Sequence, residues 1–450
     1  MFSLRTTWGT LSLLLVDVLV CYLPLALVLP HLPWAPGWMT LDSLAGNALL
    51  LGFVAVMVGF IALTRGYSFF AYNFRPTELL GGVIPAFLLS LLTLSAFCQM
   101  SGFSLWLQWH LIPPVAESFL AVFIIRYFVF YGMERNRERI LVLGASEQAR
   151  QVIEKTRERR YRGFEIAGLL SNREFSAGTD FHGRPVLGRM DQLREVVTSQ
   201  AVDSIVVALR ERRGHLPVHE LLAFKLSEMR IYEGHEFYEN VMRKMMIDEY
   251  FKPSSIVFEK GFILNPVHKA VKRAQGFLVS LLLLSLLSPL LLVIALLIKL
   301  ESPGPVLYRQ DRVGRHGRVF QLLKFRSMVR DAEKLEQPVF TQENDPRVTR
   351  IGRVLRRFRL DEVPQFLNIF KGDMDLVGPR PERPYFVEQL QERIPYYGLR
   401  HSIRPGITGW AQIMHPYGDS LKAGEEKLRY DLYYLKHYSW YMDSVILFLT

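Results

Sequence analysis

Asp361 and Glu362 are adjacent carboxylates that lie between the basic run Arg350 to Arg357 and the rigid turn Gly378-Pro-Arg-Pro381. Two carboxylates beside so many cations suggest a site that holds phosphate groups and a divalent metal. In such a site one carboxylate attacks phosphorus and the other orients it or handles a proton. An acidic pair that opens a helix is more often a cap with a favourable charge on the helix dipole, so the pair alone leaves both interpretations open.

The composition indicates a membrane protein. The chain has 450 residues, of which 50% are hydrophobic, and a positive mean hydropathy, which is too apolar for an ordinary soluble protein. The net charge of +11 favours cytoplasmic flanks that face anionic lipid and anionic substrates. No nucleic-acid-binding motif accompanies this charge, and we expect no nucleic-acid partner. Cys21 and Cys98 are the only cysteines and lie in apolar runs, which excludes a disulfide framework and a zinc cluster.

Four apolar stretches in the first part of the chain are each close to the roughly twenty residues that a spanning helix needs. They run from Leu11 to Leu29, Leu44 to Leu63, Leu79 to Phe97 and Val115 to Tyr131. The basic flanks of these stretches all fall on one side, at Arg5, Arg65, Arg75, Arg135, Arg137 and Arg139. A four-helix transmembrane bundle over residues 1–133 is therefore predicted, with both of its ends in the cytoplasm. Because almost no ionisable residue lies at membrane depth, we expect no transport path through it.

Residues 134–265 have the pattern of a soluble α/β domain. The run from Ile140 to Ala149 predicts a buried strand, a glycine turn and the start of a helix, as in a Rossmann-like fold. Ser146 occupies the second glycine position of a dinucleotide loop, and Asn172 stands where an acid would hold a ribose. We therefore predict a regulatory or dimerising module rather than a nucleotide-binding one, and a homodimer stays open.

A fifth apolar stretch runs from Gly276 to Lys299 and is long enough to span a membrane. Ser288 and Pro289 fall at its middle, where proline removes a backbone hydrogen bond and kinks a helix. Basic residues flank the region on both sides, so a straight span would place one cluster on the wrong face. A re-entrant helix over residues 276–300, broken at Ser288 and Pro289, keeps both clusters in the cytoplasm. An ordinary kinked span is the alternative.

Five motifs follow in order after this region. They are Arg309-Gln-Asp-Arg-Val-Gly-Arg-His-Gly-Arg-Val-Phe320, Lys324-Phe-Arg-Ser-Met328, Asp345-Pro-Arg-Val-Thr-Arg-Ile-Gly-Arg353, Leu360-Asp-Glu-Val-Pro-Gln through Gly378-Pro-Arg-Pro-Glu382, and Arg404-Pro-Gly-Ile-Thr-Gly-Trp-Ala-Gln412. This order resembles the bacterial sugar transferase family, the monotopic polyprenyl-phosphate phosphoglycosyl transferases. The resemblance covers about Val267 to Thr450. The segments ahead of it, and the stretch Tyr417-Gly-Asp-Ser420, are similar to the long exopolysaccharide-type members.

The resemblance implies a polyprenyl-phosphate sugar phosphotransferase. A UDP-sugar and polyprenyl phosphate would give polyprenyl-diphospho-sugar and UMP, at the first membrane step of exopolysaccharide or O-antigen synthesis. Asp361 would be the nucleophile that forms a phosphosugar-aspartate, and Glu362 its partner in metal binding or proton handling. Mg²⁺ is the expected cofactor, with Asp361 and Glu362 as ligands, because it prefers hard carboxylate and phosphate oxygens.

The resemblance also implies a set of phosphate-binding cations. Arg380, held by two prolines, fits a bidentate phosphate clamp. Lys324 and Arg326 can hold diphosphate as well, although a solvated basic strand accounts for them equally. Shorter members often carry Asn-Gly-Arg after the Trp-Ala-Gln motif, whereas Met414-His-Pro416 follows here. Arg404 or Arg400 is therefore the candidate for the missing arginine.

Together these features predict three parts: an α-helical membrane bundle, an α/β Rossmann-like domain, and a membrane-embedded α-rich (α+β) catalytic domain over residues 266–450. The basic run continues to Arg359 with apolar residues between its cations, which is typical of a helix on the membrane surface. We expect a multi-pass protein of the bacterial inner membrane, in contact with membrane lipid, whose soluble and catalytic domains face the cytoplasm.

Two other functions fit the sequence less well. A nucleotide-sugar dehydratase or oxidoreductase would need an intact glycine fingerprint and a Tyr-x-x-x-Lys pair, which the α/β domain lacks. A non-catalytic membrane scaffold, or a nucleotide-sensing protein of polysaccharide export, would leave the acidic pair and Arg380 without a purpose.

Overall fold

The structure is a computed structural model. It describes residues 7–28, 44–63, 76–100, 105–135, 137–156, 164–171, 178–209, 216–247, 261–262, 265–329, 345, 347–415 and 421–450. The predicted flanking arginines Arg5, Arg65 and Arg75, together with Asn172 and the stretch 417–420, lie outside the described residues. The chain forms two compact units, Met1–Met246 and Ile247–Phe448.

Four apolar helices begin the first unit, close to the predicted bounds: α1 (Thr7–Val28), α2 (Leu44–Leu63), α3 (Pro76–Met100) and α4 (Leu105–Arg135). By length and composition α3 and α4 can cross a membrane, while the described apolar parts of α1 and α2 are shorter.

The helices enclose a hydrophobic core and a buried ion pair. Arg126 Nη2 of α4 lies 2.5 Å from Asp17 Oδ2 of α1, and both side chains are 1% exposed. The sequence predicts almost no ionisable residue at membrane depth, and this pair is an exception. The two charges neutralise each other across the bundle, as ionisable groups in membrane helices generally do.

An α/β sheet domain follows in the same unit. Its strands are β1 (Glu138–Leu143), β2 (Phe164–Leu170), β3 (Asp180–Phe181), β4 (Arg184–Gly188), β5 (Ser204–Val207) and β6 (Arg230–Glu233), and its helices are α5 (Glu147–Thr156), α6 (Leu193–Ser199), α7 (Val218–Leu226) and α8 (Gly234–Met242). The strand order is β3-β4-β2-β1-β5-β6, with all pairs parallel except β3 with β4. Two buried clusters cover the two faces of the sheet, which is why the run Ile140–Leu143 of β1 and the run Ile205–Val207 of β5 are apolar.

The second unit contains the long helix α9 (Pro266–Glu301), which begins at an Asn265 cap. Helical structure continues through the predicted break, where Ser288 Oγ donates to Ser285 O at 2.8 Å. The middle of the helix exposes a run of leucines, among them Leu282, Leu286 and Leu292. The bond from Ser288 satisfies a carbonyl near Pro289, as serine does beside prolines in membrane helices.

The rest of the second unit is small strands and short helices. The strands are β7 (Leu307–Val313), β8 (Val319–Phe325), β9 (Asp375–Val377) and β10 (Gly406–Thr408), and the helices are α10 (Arg350–Arg357), α11 (Gln365–Lys371), α12 (Pro384–Arg393), α13 (Trp410–Met414), α14 (Leu421–Lys436) and α15 (Trp440–Leu449). β7 and β8 form an antiparallel hairpin, and β9 pairs with β10 in parallel. This α-rich arrangement holds the acidic pair, the Lys324 strand and the Gly378 turn.

Candidate active site

Asp361 lies in a 3-10 turn, Leu360–Glu362, rather than at the start of a helix as predicted. The turn begins where Arg359 adopts a left-handed conformation with φ 55°, and α11 begins only at Gln365, after Pro364. Leu360 packs against the cluster of Ile298 and Phe325. This packing draws the turn inward, so that Asp361 is only 9% exposed.

Glu362 is the centre of a charged cluster. Lys324 Nζ from β8 donates to Glu362 Oε1 at 3.0 Å, and Arg380 Nη2 lies 3.6 Å from the same oxygen. Burial alone raises the pKa of Glu362, but Lys324 and Arg380 outweigh it and hold the pKa below its usual value. Burial lowers the pKa of Lys324, and Glu362 opposes that change. Glu362 is therefore an ionised group that aligns two cations beside Asp361.

The environment of Asp361 differs from that of its neighbour. Burial raises the pKa of Asp361; the Lys324 ammonium lowers it in part, and the charge of Glu362 raises it again. A partly desolvated carboxylate is a better nucleophile than a fully hydrated one, provided that it is ionised. Two adjacent acids with pKa values displaced in opposite directions are typical of catalytic pairs with divided roles.

The turn that carries Arg380 is packed too closely for any side chain on its glycines. A Cβ on Gly378 would lie 2.5 Å from Arg404 O, and a Cβ on Gly406 would lie 2.1 Å from Gly378 N. Gly378 N donates to Thr408 O at 2.9 Å, which continues the pairing of β9 with β10. The two glycines thus allow the turn to rest on β10, with the Arg380 side chain 42% exposed beside Glu362.

Three predicted or candidate cations have other partners. Arg326 lies just beyond the end of β8, and its guanidinium donates to Ser302 O (2.7 Å), Pro303 O (3.0 Å) and Ile298 O (3.3 Å). The structure thus makes Arg326 a cap for the end of α9, and we assign it no phosphate contact. Arg404 Nη1 lies 3.7 Å from Asp375 Oδ1. Arg400 is buried against Asp431, so it does not supply the missing Asn-Gly-Arg arginine.

The glycine turn of the α/β domain carries no comparable cluster. Ser146 Oγ donates to Ala208 O at 2.5 Å and accepts from Ala149 N at 3.3 Å, so it bridges the ends of β1 and β5 and caps α5. Glu147 opens the helix and pairs with Arg150. An acid and an engaged serine are poor features for pyrophosphate binding.

The donor set at the acidic pair suits Mg²⁺. Among the residues that the structure describes, no group of three or more His, Cys, Asp or Glu side chains could hold a metal ion, so no all-protein cage is present there. Mg²⁺ is commonly held by one or two carboxylates, with substrate phosphates and water as its other ligands. Both cations near Glu362 contact the same oxygen, Oε1.

Comparisons with known proteins agree with these features. Residues 267–450 match the family model described as bacterial sugar transferase, and residues 58–222 match the model described as CoA-binding domain. An Escherichia coli protein named UDP-glucose:undecaprenyl-phosphate glucose-1-phosphate transferase is 35% identical over 324 residues, which is 70% of this chain and 67% of that protein.

Two further relatives extend the comparison. A UDP-N-acetylgalactosamine-undecaprenyl-phosphate N-acetylgalactosaminephosphotransferase of Aeromonas hydrophila is 42% identical over 226 residues, or 50% of this chain; the match spans about half of that protein (52%). An exopolysaccharide production protein of Rhizobium leguminosarum is 43% identical over 185 residues, which is 40% of this chain and 92% of the relative.

Proposed function

Because this chain belongs to the bacterial sugar transferase family, we propose that it transfers a sugar 1-phosphate from a UDP-sugar to undecaprenyl phosphate and releases UMP. The observation that carries the proposal is the cluster in which Lys324 and Arg380 meet the carboxylate of Glu362 beside Asp361. The names of the relatives specify this reaction for glucose and for N-acetylgalactosamine. The product begins an exopolysaccharide or O-antigen repeat unit at the bacterial inner membrane.

The reaction proceeds in two displacements at phosphorus. A carboxylate oxygen of Asp361 attacks the β-phosphorus of the UDP-sugar; the new O–P bond forms as the bond to the bridging oxygen breaks, and UMP leaves with that oxygen. The phosphate oxygen of undecaprenyl phosphate then attacks the same phosphorus, which releases the Asp361 carboxylate and yields the lipid diphospho-sugar. Arg380 and Lys324 neutralise the charge that gathers on the diphosphate.

Mg²⁺ is the metal that this site would hold, through Asp361 and Glu362. When bound, it neutralises phosphate charge and orients the leaving group. Glu362 is held ionised by Lys324 and Arg380, which keeps a carboxylate ready for the ion. We expect EDTA to abolish UMP release and added Mg²⁺ to restore it.

Helix α9 enters and leaves the bilayer on the same, cytoplasmic face. Near its start Arg273 Nη2 donates to Phe370 O at 2.7 Å, and near its end Ile298 O accepts from Arg326. Both anchor points belong to one folded domain, because Leu323 N of β8 donates to the side chain of Asn368 in α11 at 3.0 Å, and Arg326 follows Leu323 by three residues. A helix that crossed a hydrocarbon core about 30 Å thick would place its two ends on opposite faces of the bilayer. Contacts of both ends with the same domain therefore support re-entry.

The surface of α10 lies at the headgroup level beside this helix. Its first two amides, of Arg350 and Ile351, donate to Glu301 at the end of α9, with 2.7 Å for the first. Val354 on α10 and Phe358 directly after it are exposed among arginines. An apolar and cationic surface fixed to the end of a membrane helix fits an anionic bilayer surface, and it brings the acidic pair to the height of the lipid phosphate.

The product nucleotide tests the proposed reaction. The purified full-length protein is incubated with undecaprenyl phosphate, Mg²⁺ and each of a panel of UDP-sugars that includes UDP-glucose and UDP-N-acetylgalactosamine. We expect UMP and a lipid-linked product with at least one donor, and no turnover without the lipid. Release of UDP instead would mean that attack occurs at the sugar carbon, and the proposal would be wrong.

Cysteine labelling tests the topology separately from the chemistry. In a background with Cys21 and Cys98 replaced by alanine, single cysteines are placed at Ala270, in the first turns of α9, and at His316, after its end; both sites are exposed in the structure. We expect an impermeant maleimide to label both only from the cytoplasmic side. A cysteine at Ser104, in a connection predicted to face the periplasm, is the control for labelling from outside. Periplasmic labelling at His316 would contradict re-entry.

A further inference from the structure

Four successive carbonyl oxygens of the segment that carries Arg380 are each bound by a different donor. Gly406 N donates to Pro379 O (3.0 Å), Arg400 Nη2 to Arg380 O (3.1 Å), Arg312 Nη1 to Pro381 O (2.9 Å) and Val313 N to Glu382 O (2.9 Å). Two of these donors are guanidinium groups on different elements. Placing a cation at a buried carbonyl is costly unless its charge is partnered, so such contacts persist where they hold a specific geometry.

Both terminal nitrogens of the Arg400 guanidinium have partners inside the protein. Its side chain is 3% exposed; Nη2 lies 2.8 Å from Asp431 Oδ2 of α14, and Nη1 donates to the Tyr397 hydroxyl at 2.5 Å. Asp431 is equally buried, so the two charges neutralise each other. Arg400 therefore faces the back of the turn and contacts Arg380 only through its main chain.

Arg312 holds the next carbonyl from the other side. It extends from β7, and its Nε and Nη2 donate to Gln310 Oε1 at 3.1 and 2.6 Å, which fixes the guanidinium. Its Nη1 lies 3.8 Å from Glu382 Oε2, in addition to its bond to Pro381 O. Its charge is thus directed at the main chain of the turn and at Glu382.

We propose that Arg400 and Arg312 are positioning residues that hold the backbone of the turn so that the Arg380 guanidinium stays beside Glu362. The prolines on either side of Arg380 fix their own φ angles, which makes the turn rigid in shape. A rigid turn still needs anchors to fix its orientation, and the two arginines supply them at adjacent carbonyls. The inference deepens the proposed function and rests on it, because the role of Arg380 is to hold the diphosphate of the donor.

The variant Arg400→Lys separates the proposed positioning of Arg380 from the neutralisation of the Asp431 charge. Arg400→Lys keeps a cation for Asp431, but an ammonium lacks the planar fork that reaches Asp431, Tyr397 and the Arg380 carbonyl together. Small misplacements of a substrate-holding group reduce rates by up to about a hundredfold. We expect Arg400→Lys to lower kcat/KM for the UDP-sugar by about tenfold, with a folded protein.

A double-mutant cycle between positions 400 and 380 tests the inference. If Arg400 acts through Arg380, then Arg400→Lys introduced into an Arg380→Ala protein should lower kcat/KM by less than about twofold, because the group that it positions is already absent. Arg312→Lys should show the same coupling, and it replaces Arg400→Lys if that variant does not fold. Thermal unfolding of every variant reports the structural contribution separately.

Arg326→Lys is the matched control. Arg326 is also a buried arginine that donates to main-chain carbonyls, but these are Ser302 O and Pro303 O at the end of α9. Its effect on kcat/KM should be equal with and without Arg380. Equal effects of Arg400→Lys in both backgrounds would overturn the positioning role while wild-type activity stands. Absence of UMP release by the wild-type protein would overturn the proposed function and this role with it.

Discussion

Two glycine turns follow parallel strands in this molecule, and they differ in what they present. At Gly144, after β1, the backbone has φ 105° and the following Ser146 is engaged with Ala208 O. The next residue is Glu147, whose pKa is held low first by its hydrogen bond with Arg150. The turn therefore presents an acid that is already paired with Arg150.

At Gly378, after β9, the turn presents a cation instead. Its carbonyls are bound from behind by Arg400 and Arg312, while the side chain of Arg380 reaches the acidic pair. The two turns share a position at the end of a strand and a glycine that tolerates close backbone packing. A glycine turn at the end of a strand therefore does not by itself define a binding site. The charged side chain that the turn carries decides what it can bind.

The largest loss of activity should come from removing the Asp361 carboxylate, which lies beside Glu362 and the Arg380 side chain of the Gly378 turn. Asp361→Asn should lower UMP release by at least about a thousandfold, because an amide is a poor nucleophile. Glu147→Gln, the acid at the Gly144 turn, is the matched control and should leave the rate unchanged. A folded Asp361→Asn protein that keeps a tenth of the wild-type rate would contradict covalent catalysis by this residue.

The second largest effect should come from an alanine substitution at the glycine of each turn, which should reduce activity at one turn and stability at the other. In Gly378→Ala the Cβ would lie 2.5 Å from Arg404 O and 2.8 Å from Gly406 N, so the turn must shift and UMP release should fall about a hundredfold. In Gly144→Ala the Cβ would lie 2.7 Å from Ala208 O, at a positive φ.

We expect the second variant to lose about 1–3 kcal/mol of stability in the α/β domain while folded molecules keep their rate. Activity per folded molecule and thermal unfolding, measured together, check both halves. A rate loss in Gly144→Ala as large as that in Gly378→Ala would show that the two turns do not differ in function.

The smallest predicted effect is on the pH profile. Asp361 must be ionised to attack; burial raises its pKa and Lys324 lowers it in part. Lys324→Met should therefore raise the pKa of Asp361 further, so that the acidic limb of kcat/KM moves to higher pH. Lys324→Arg retains the charge and should leave the limb near its original position. A limb that moves to lower pH in Lys324→Met would contradict this assignment.

The sequence predicted the helices better than the site. Apolar runs are local, so the bounds of α1 to α4 and the existence of α9 could be predicted from composition and length. The order of the sheet strands depends on pairing between distant segments, which no single run specifies. The sequence predicts Asp361 near a helix N-terminus; in the structure it lies in a 3-10 turn that begins after the left-handed Arg359, and the helix begins only at Gln365, after Pro364.

The cations show the same limit. Lys324 and Arg326 are two residues apart, so in a strand they would lie on the same face. In the structure β8 ends at Phe325, and Arg326 instead donates to carbonyls at the end of α9. Nothing in the local sequence distinguishes Arg400 from other basic residues near a motif. Its burial depends on Asp431 in α14, a partner that lies in a different part of the sequence and carries no motif of its own.

The central claim is that Asp361 becomes covalently attached to the sugar phosphate. The full-length protein is incubated with Mg²⁺ and each UDP-sugar of the panel in the absence of undecaprenyl phosphate, and the protein and its peptides are weighed by mass spectrometry. With the true donor we predict one equivalent of UMP and a sugar-phosphate adduct on the peptide that contains Asp361, lost on addition of the lipid and absent in Asp361→Asn. Lipid-linked product formed by an enzyme that releases no UMP and carries no adduct before the lipid is added would contradict it.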